Sequence, residues 1–265
     1  MDKYDIIKYS NQIIAYKSNK EYNVANGFFL RVRTYLYFIT ANHAVTQDNC
    51  LDIVSSIPID SIYFILGVDG DDFETKTIQL DRWEFFDSYE FDNKFRFSLP
   101  SLYKREDLAI CGIDIEEVKS KLIMLPFKII NSLPNTCHNK KISVIDLPLN
   151  IGYPNKNKNY YLGGKVLKKI STILAENEEH FYESIRYLNE SDGYYYFHIS
   201  DDISNIDGLS GSPLFDEEIK LVGMVIRYNY NDKNLVVLPS SRIYDYIEDD
   251  LRWVDYCYNI EYATS

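Results

Sequence analysis

The chain has 265 residues, 46% of them hydrophobic, and sets 28 Lys and Arg against 40 Asp and Glu for a formal net charge of −12. That length supports one large domain or two small ones around a sizeable core, and the acidic balance argues against general binding to a phosphate backbone. No apolar run is long enough to span a bilayer, and the opening MDKYDIIKYSNQ lacks the apolar centre of a secretory signal.

These features predict a cytoplasmic protein with neither nucleic acid nor membrane as a partner. Cys50, Cys111, Cys137 and Cys257 show no CxxC spacing, so they form no disulfide framework and no metal-ligand set, and no cofactor is implied. Such cysteine usage fits a reducing compartment.

Strand-length apolar runs recur along the chain. In order they are NGFFLRVR from Asn26, YLYFITA from Tyr35, SIYFILGV from Ser61 and DLAICGI from Asp107. There follow KISVIDL from Lys141, GGKVLKKI from Gly163, YYYFHIS from Tyr194, KLVGMVIRY from Lys220 and NLVVLP from Asn234. Gly, Asn, Asp and Pro clusters separate them, the punctuation of β-structure. The 24 tyrosines and 14 phenylalanines favour pleated surfaces as well. The expectation is an all-β protein of barrels or sandwiches.

Two stretches read as helix. IEEVKSKL from Ile115 is a short one near the middle of the chain, where a connector between two lobes would lie. SSRIYDYIEDDLRWVDY is the clearer: Ile243, Ile247, Leu251 and Val254 share one face, and Ser240 or Ser241 can cap its start. Asp69–Tyr103 reads as a long excursion from the first lobe, with DGDD as a hairpin turn, since it lacks the spaced ligands of a calcium loop. Lys169–Tyr194 is a second excursion. Lys156, Lys158, Lys165, Lys168 and Lys169 cluster in sequence and read as a solvated face.

GLSGSPLF, from Gly208, places a serine between a turn glycine and a second glycine ahead of a strand. Ser210 is either a turn residue or a nucleophile, and a nucleophile needs a base and an orienting carboxylate. Of the four histidines, His138 and His180 lie in polar, turn-like or charged runs, and His198 lies within a strand. His43 follows the apolar strand YLYFITA and so falls at its rim. Asp107 opens the strand DLAICGI, where a carboxylate at the mouth of a buried run is costly without a partner.

TANHAV, DLAI and GLSGSP occur in that order, and together they resemble the trypsin-like (chymotrypsin-fold) serine peptidases. NGFFL, IGYP at Ile151, GGKVL and LVGMVI extend the resemblance to roughly Ile13–Ile247. It implies an all-β fold of two antiparallel β-barrels with a C-terminal helix: residues 11–118 carrying His43 and Asp107, and 119–265 carrying Ser210 and the helix. It also implies a serine endopeptidase in which Ser210 attacks, His43 is the base, Asp107 orients it, and the amides of Gly208 and Ser210 form the oxyanion hole. An α/β-hydrolase is excluded, since its elbow needs GxSxG and the chain order Ser, acid, His. The implied partners are a protein or peptide substrate and a regulatory protein. A catalytically silent binding module and a small-ester hydrolase on the same fold are the alternatives.

The departures from the family pattern also carry expectations. Leu209 stands where zymogen-activated relatives have an aspartate, so activation by a new N-terminal amine is not expected. Ala44 stands where secreted relatives often have a cysteine. Ser212 makes the loop more similar to bacterial glutamyl-endopeptidase-type members. By resemblance, residues 201–204 and 225–228 line the first specificity pocket, with Ser204 where an aspartate would select basic side chains. Strand alternation puts Val225 and Arg227 on one face. If that face is the cleft, Arg227 can meet an acidic side chain; if not, Ile226 faces the cleft.

Overall fold

The computed structural model of the chain describes residues 2–17, 20–45, 61–69, 74–80, 83–88, 104–113, 122–124, 128–131, 143–169, 174–200 and 208–264. It begins with a short helix, α1 (Lys3–Ile7), capped by the Asp2 carboxylate, which accepts from the Tyr4 N–H at 3.1 Å. Its apolar pair Ile6 and Ile7 is buried.

The first sheet is built from β1 (Asn11–Lys17), β2 (Lys20–Val32), β3 (Tyr35–Thr40), β4 (Ser61–Asp69), β5 (Glu74–Leu80), β6 (Trp83–Ser88), β7 (Lys104–Ile113) and β8 (Leu122–Met124), in the spatial order β6-β7-β3-β2-β1-β4-β5-β8. All these pairs are antiparallel. A ninth strand, β10 (Val144–Leu147), joins β2 in parallel. The strands β4 and β5 pair as far as Asp69 and Glu74, the register of a hairpin, while DGDD itself falls largely outside the described residues.

The second unit is a barrel. β11 (Tyr160–Lys169), β14 (Pro213–Asp216), β15 (Leu221–Asn229), β16 (Asn234–Pro239), β13 (Tyr194–Ile199) and β12 (Leu174–Ser191) follow one another in space, and pairing of β11 with β12 closes the ring of six strands. Closure leaves these strands no free edge. Outside the ring, β9 (Lys128–Asn131) adds to β12 in parallel. The C-terminal helix α3 (Ser240–Thr264) starts directly from β16.

The architecture is thus all-β with a C-terminal helix, as the strand-length runs predict. Each of the nine runs quoted above contributes to a strand. The predicted face of α3 is buried at Ile243, Ile247 and Leu251; the side chain of Val254 lies outside those described, as does the helix expected from Ile115. Two features cross the boundary expected at residue 118. β8 and β10 follow it in the chain but pair within the first sheet, and α1 precedes residue 11 but packs on the barrel, where any side chain on Gly163 would meet Ile6 and Ile7.

The excursion Lys169–Tyr194 is largely β12, an 18-residue strand. Its sequence, LAENEEHFYESIRYLNES, is largely polar; among its described side chains Tyr182 and Ile185 are buried. His180, expected in a charged surface run, is therefore a partly buried strand residue paired with Gly164.

The core is two apolar clusters, one that runs from the first sheet onto barrel residues such as Phe215, Met224 and Leu238, and one within the barrel. Phe28, Leu30, Phe38, Ile39, Leu108 and Ile110 fill the first, which continues under α3. Tyr160, Leu162, Phe197, Leu214 and Val237 fill the second, with the Tyr160 and Phe197 rings edge to face at 4.9 Å. Each such side chain contributes about 1.5–3 kcal/mol by leaving water. Among the described residues no helix is long and apolar enough to cross a membrane.

Candidate active site

Strand β3 ends at Thr40, and the chain turns at once into one helical turn, α2 (Asn42–Val45). Ala41, Ala44 and Val45 are fully buried. They draw this turn into the core and leave His43 partly exposed at its rim. The β3–β7 register sets Thr40 opposite Ala109. Continued two residues along each strand, it brings Asp107 beside the start of α2.

The contact is made twice. Asp107 Oδ1 accepts the His43 backbone N–H at 3.0 Å, and Nδ1 of the imidazole lies 2.8 Å from Oδ2 and 3.1 Å from Oδ1. A carboxylate only accepts, so Nδ1 carries the proton and Nε2 is left as the acceptor. Asp107 is itself buried, with its charge answered by the imidazole. Burial lowers the His43 pKa, the hydrogen bond to Asp107 and its charge raise it, and the Arg227 cation lowers it; the balance lies above the ordinary imidazole value.

Ser210 lies on the loop before β14 and is half-buried. Both loop glycines have left-handed backbones, Gly208 at φ 89° and Gly211 at φ 86°, where a side chain would add strain. The loop is tied to β15 by Gly211 N–H to Val225 O at 2.8 Å and Val225 N–H to Ser212 O at 2.9 Å. Gly211 also lies so close to the first sheet that a Cβ would overlap Asn26 O and sit 2.6 Å from Thr40 Oγ1. Thr40 is three residues before His43, so the serine loop and the histidine turn meet at the same strand end. Among the described residues, the Ser210 hydroxyl makes no hydrogen bond, and the amide N–H groups of Gly208 and Ser210 donate to none.

Leu209, the residue beside Ser210, is buried in the barrel core. Its side chain occupies the space a Cβ on Gly164 would need. An apolar plug therefore anchors the loop from below.

Asn26 is the residue that sequence reading missed. It is fully buried in β2. Its N–H donates to Ser210 O at 2.9 Å, and its carbonyl accepts from Thr40 Oγ1 at 2.6 Å. Its side-chain Nδ2 donates to Gly208 O at 2.5 Å and Lys165 O at 2.9 Å, while Oδ1 accepts from Lys165 N and Ser10 Oγ. One side chain thus joins both units at the serine loop. The available signal was an Asn inside an apolar strand, where Asn is depleted.

Arg227 and Ile226 differ from simple alternation. A bulge between Val225 and Arg227 places Val225 opposite Val237 and Arg227 opposite Val236, so the two are not on one face by spacing alone. Ile226 is buried and Arg227 exposed, with its charge reaching His43. Ser204, with Asp201 and Asp202, lies outside the described residues.

The class defined by this architecture is the chymotrypsin-like fold: a closed six-stranded barrel, a second sheet and a C-terminal helix. No family model matches the sequence, and no curated protein matches it. Solved structures share the fold. Human heparin binding protein aligns with a TM-score of 0.54 at 11% identity, over 93% of this chain and 92% of that one. The structure of GrC aligns with a TM-score of 0.54 at 13% identity, over 95% of this chain and 97% of that one. HL collagenase aligns with a TM-score of 0.51 at 14% identity, over 92% and 94%.

Proposed function

We propose that the chain is a serine endopeptidase in which Ser210 is the nucleophile, His43 the general base and Asp107 the orienting carboxylate. The observation that carries this reading is the doubly bonded His43–Asp107 pair at the strand end against which the Ser210 loop packs. Asp107 fixes the imidazole with Nδ1 protonated, so Nε2 can take the Ser210 proton and return it to the leaving amine. The Gly208 and Ser210 amides, free among the described residues, are the donors for the tetrahedral oxyanion. A water then hydrolyses the acyl-enzyme by the same base.

The substrate is a protein or peptide, taken along the exposed end of β15. The GLSGSP loop favours the glutamyl-endopeptidase type, and Arg227, close enough to lower the His43 pKa, is the cation for an acidic side chain. Leu209 offers no carboxylate to a new N-terminal amine, so the active loop forms without cleavage.

A fluorophosphonate probe tests the reading. It labels wild type at Ser210, and Ser210→Ala abolishes labelling and lowers peptide turnover by about six orders of magnitude, with unchanged unfolding. Wild-type turnover by a folded Ser210→Ala variant would end the proposal. Cleavage of a peptide library, set against small esters, separates an endopeptidase from an ester hydrolase.

A further inference from the structure

The residue next to Asp107 in β7 is a second carboxylate, Glu106, and it has no exposed surface. Successive strand residues point to opposite sides. Asp107 faces His43, and Glu106 faces the other unit. There the Tyr194 hydroxyl donates to Oε1 at 2.5 Å, from β13 of the barrel. Arg242 Nη2 and the Tyr246 hydroxyl, both from α3, donate to Oε2 at 2.5 and 3.1 Å. Arg242 Nη1 also donates to Gly193 O at 3.1 Å, and its guanidinium lies over the Tyr194 ring.

Placing a carboxylate in a dry interior is costly unless it is paired and hydrogen-bonded. Here one cation and two hydroxyls meet both oxygens. The phenol of Tyr194 is pushed above the ordinary tyrosine range by burial, by its bond to Glu106 and by that charge, and Asp107 adds to the same effect while Arg242 opposes it. The cluster is therefore within electrostatic reach of Asp107. Burial works against the Arg242 cation, but Glu106 and Tyr246 more than offset this, leaving its pKa raised.

We infer that Glu106, held by Tyr194, Arg242 and Tyr246, is a positioning residue for Asp107. It locks the mouth of β7 to the barrel and to α3, so that the adjacent carboxylate is held against the His43 turn. Arg242 balances the second buried charge, and the His43–Asp107 pair is not asked to share it. The inference rests on the peptidase reading for its catalytic consequence, but its geometric content concerns the state of His43 alone.

The test is the titration of His43, followed by NMR of labelled histidine, with signals assigned by substituting His138, His180 and His198 in turn. Among the described residues, the charges acting on His43 include Asp107 from β7 and Arg227 from β15, and the groups bonded to Glu106 include the Arg242 cation and the two neutral tyrosines. Glu106→Gln leaves Arg242 unbalanced and loosens Asp107, and both changes disfavour the imidazolium. The expected result is a lower His43 midpoint, with fluorophosphonate labelling slowed at least about tenfold, as misplacement of a catalytic group requires. A folded Glu106→Gln protein of reduced melting temperature, with wild-type midpoint and labelling rate, would show a merely structural ion pair and overturn the inference.

If Glu106→Gln does not fold, Arg242→Lys is read instead. It keeps the charge and loses the second bond to Gly193, so slower labelling with a lowered midpoint, which only a loosened Asp107 then explains, supports positioning, and a wild-type rate and midpoint overturn it. If wild type is not labelled at Ser210, the peptidase reading falls, and the His43 titration still decides whether Glu106 positions Asp107.

Discussion

Asn26→Ala is the substitution that most directly probes how the two units meet. The side chain makes four hydrogen bonds, to Ser10, to both backbone groups of Lys165 and to the Gly208 carbonyl, at a position with no exposed surface. A typical intramolecular hydrogen bond is worth about 0.5–1.5 kcal/mol net, and a buried group left without a partner costs more. The four together predict a loss of about 2–6 kcal/mol, a large part of the usual stability of a domain. Urea unfolding measures it as a lower midpoint at unchanged slope. The loss has a local consequence too. Gly208 O is released, the turn carrying the oxyanion donors is no longer fixed, and fluorophosphonate labelling of Ser210 falls by at least about tenfold. The bonds of the Asn26 backbone, its N–H to Ser210 O and its carbonyl from the Thr40 hydroxyl, survive the change, so the protein should still fold. A destabilisation below about 1 kcal/mol with native labelling would refute the view that this side chain joins the units.

Further outcomes follow from the same site. Because His43 must be neutral to act and its pKa is raised, the labelling rate should fall as pH drops through a value above the ordinary imidazole range, and a profile flat from about pH 5 to 8 would count against a histidine base. Arg227 lowers that pKa, so Arg227→Gln should move the acid limb of the labelling profile to higher pH; an unmoved limb would show that its charge does not reach the imidazole. Gly211→Ala forces a Cβ into Asn26 O and against Thr40 Oγ1 at a φ of 86°, so labelling should be lost even where circular dichroism shows a folded protein. Near-native labelling would mean that the loop can move away from β3 without consequence.

Much of the chain was legible as sequence. Strands such as YLYFITA and LVGMVIRY announce themselves because both faces are buried and apolar residues run on continuously. The α3 face is legible because Ile243, Ile247 and Leu251 recur at the period of one helix. His43, Asp107 and Ser210 could be proposed because TANHAV, DLAI and GLSGSP, in that order and at the ends of apolar runs, resemble the motifs of the trypsin-like serine peptidases. β12 was not legible, since its buried side chains are few and its polar ones many. The bulge in β15 was not legible either, because it is set by pairing with β16 and not by the order of residues within β15.

What local sequence determines here is the kind of element and the chemical identity of the groups at its ends. What only the tertiary structure decides is which ends meet. Asn26 reaches Lys165 and Gly208, and Glu106 reaches Tyr194, Arg242 and Tyr246. Each of these contacts closes a loop of many residues, and nothing in the near neighbourhood of an asparagine or a glutamate encodes its partner. Only when sheet, barrel and helix close around them do they become the buried, fully bonded groups that hold the candidate site together, because the cost of burying a polar group is met by partners that folding alone brings near.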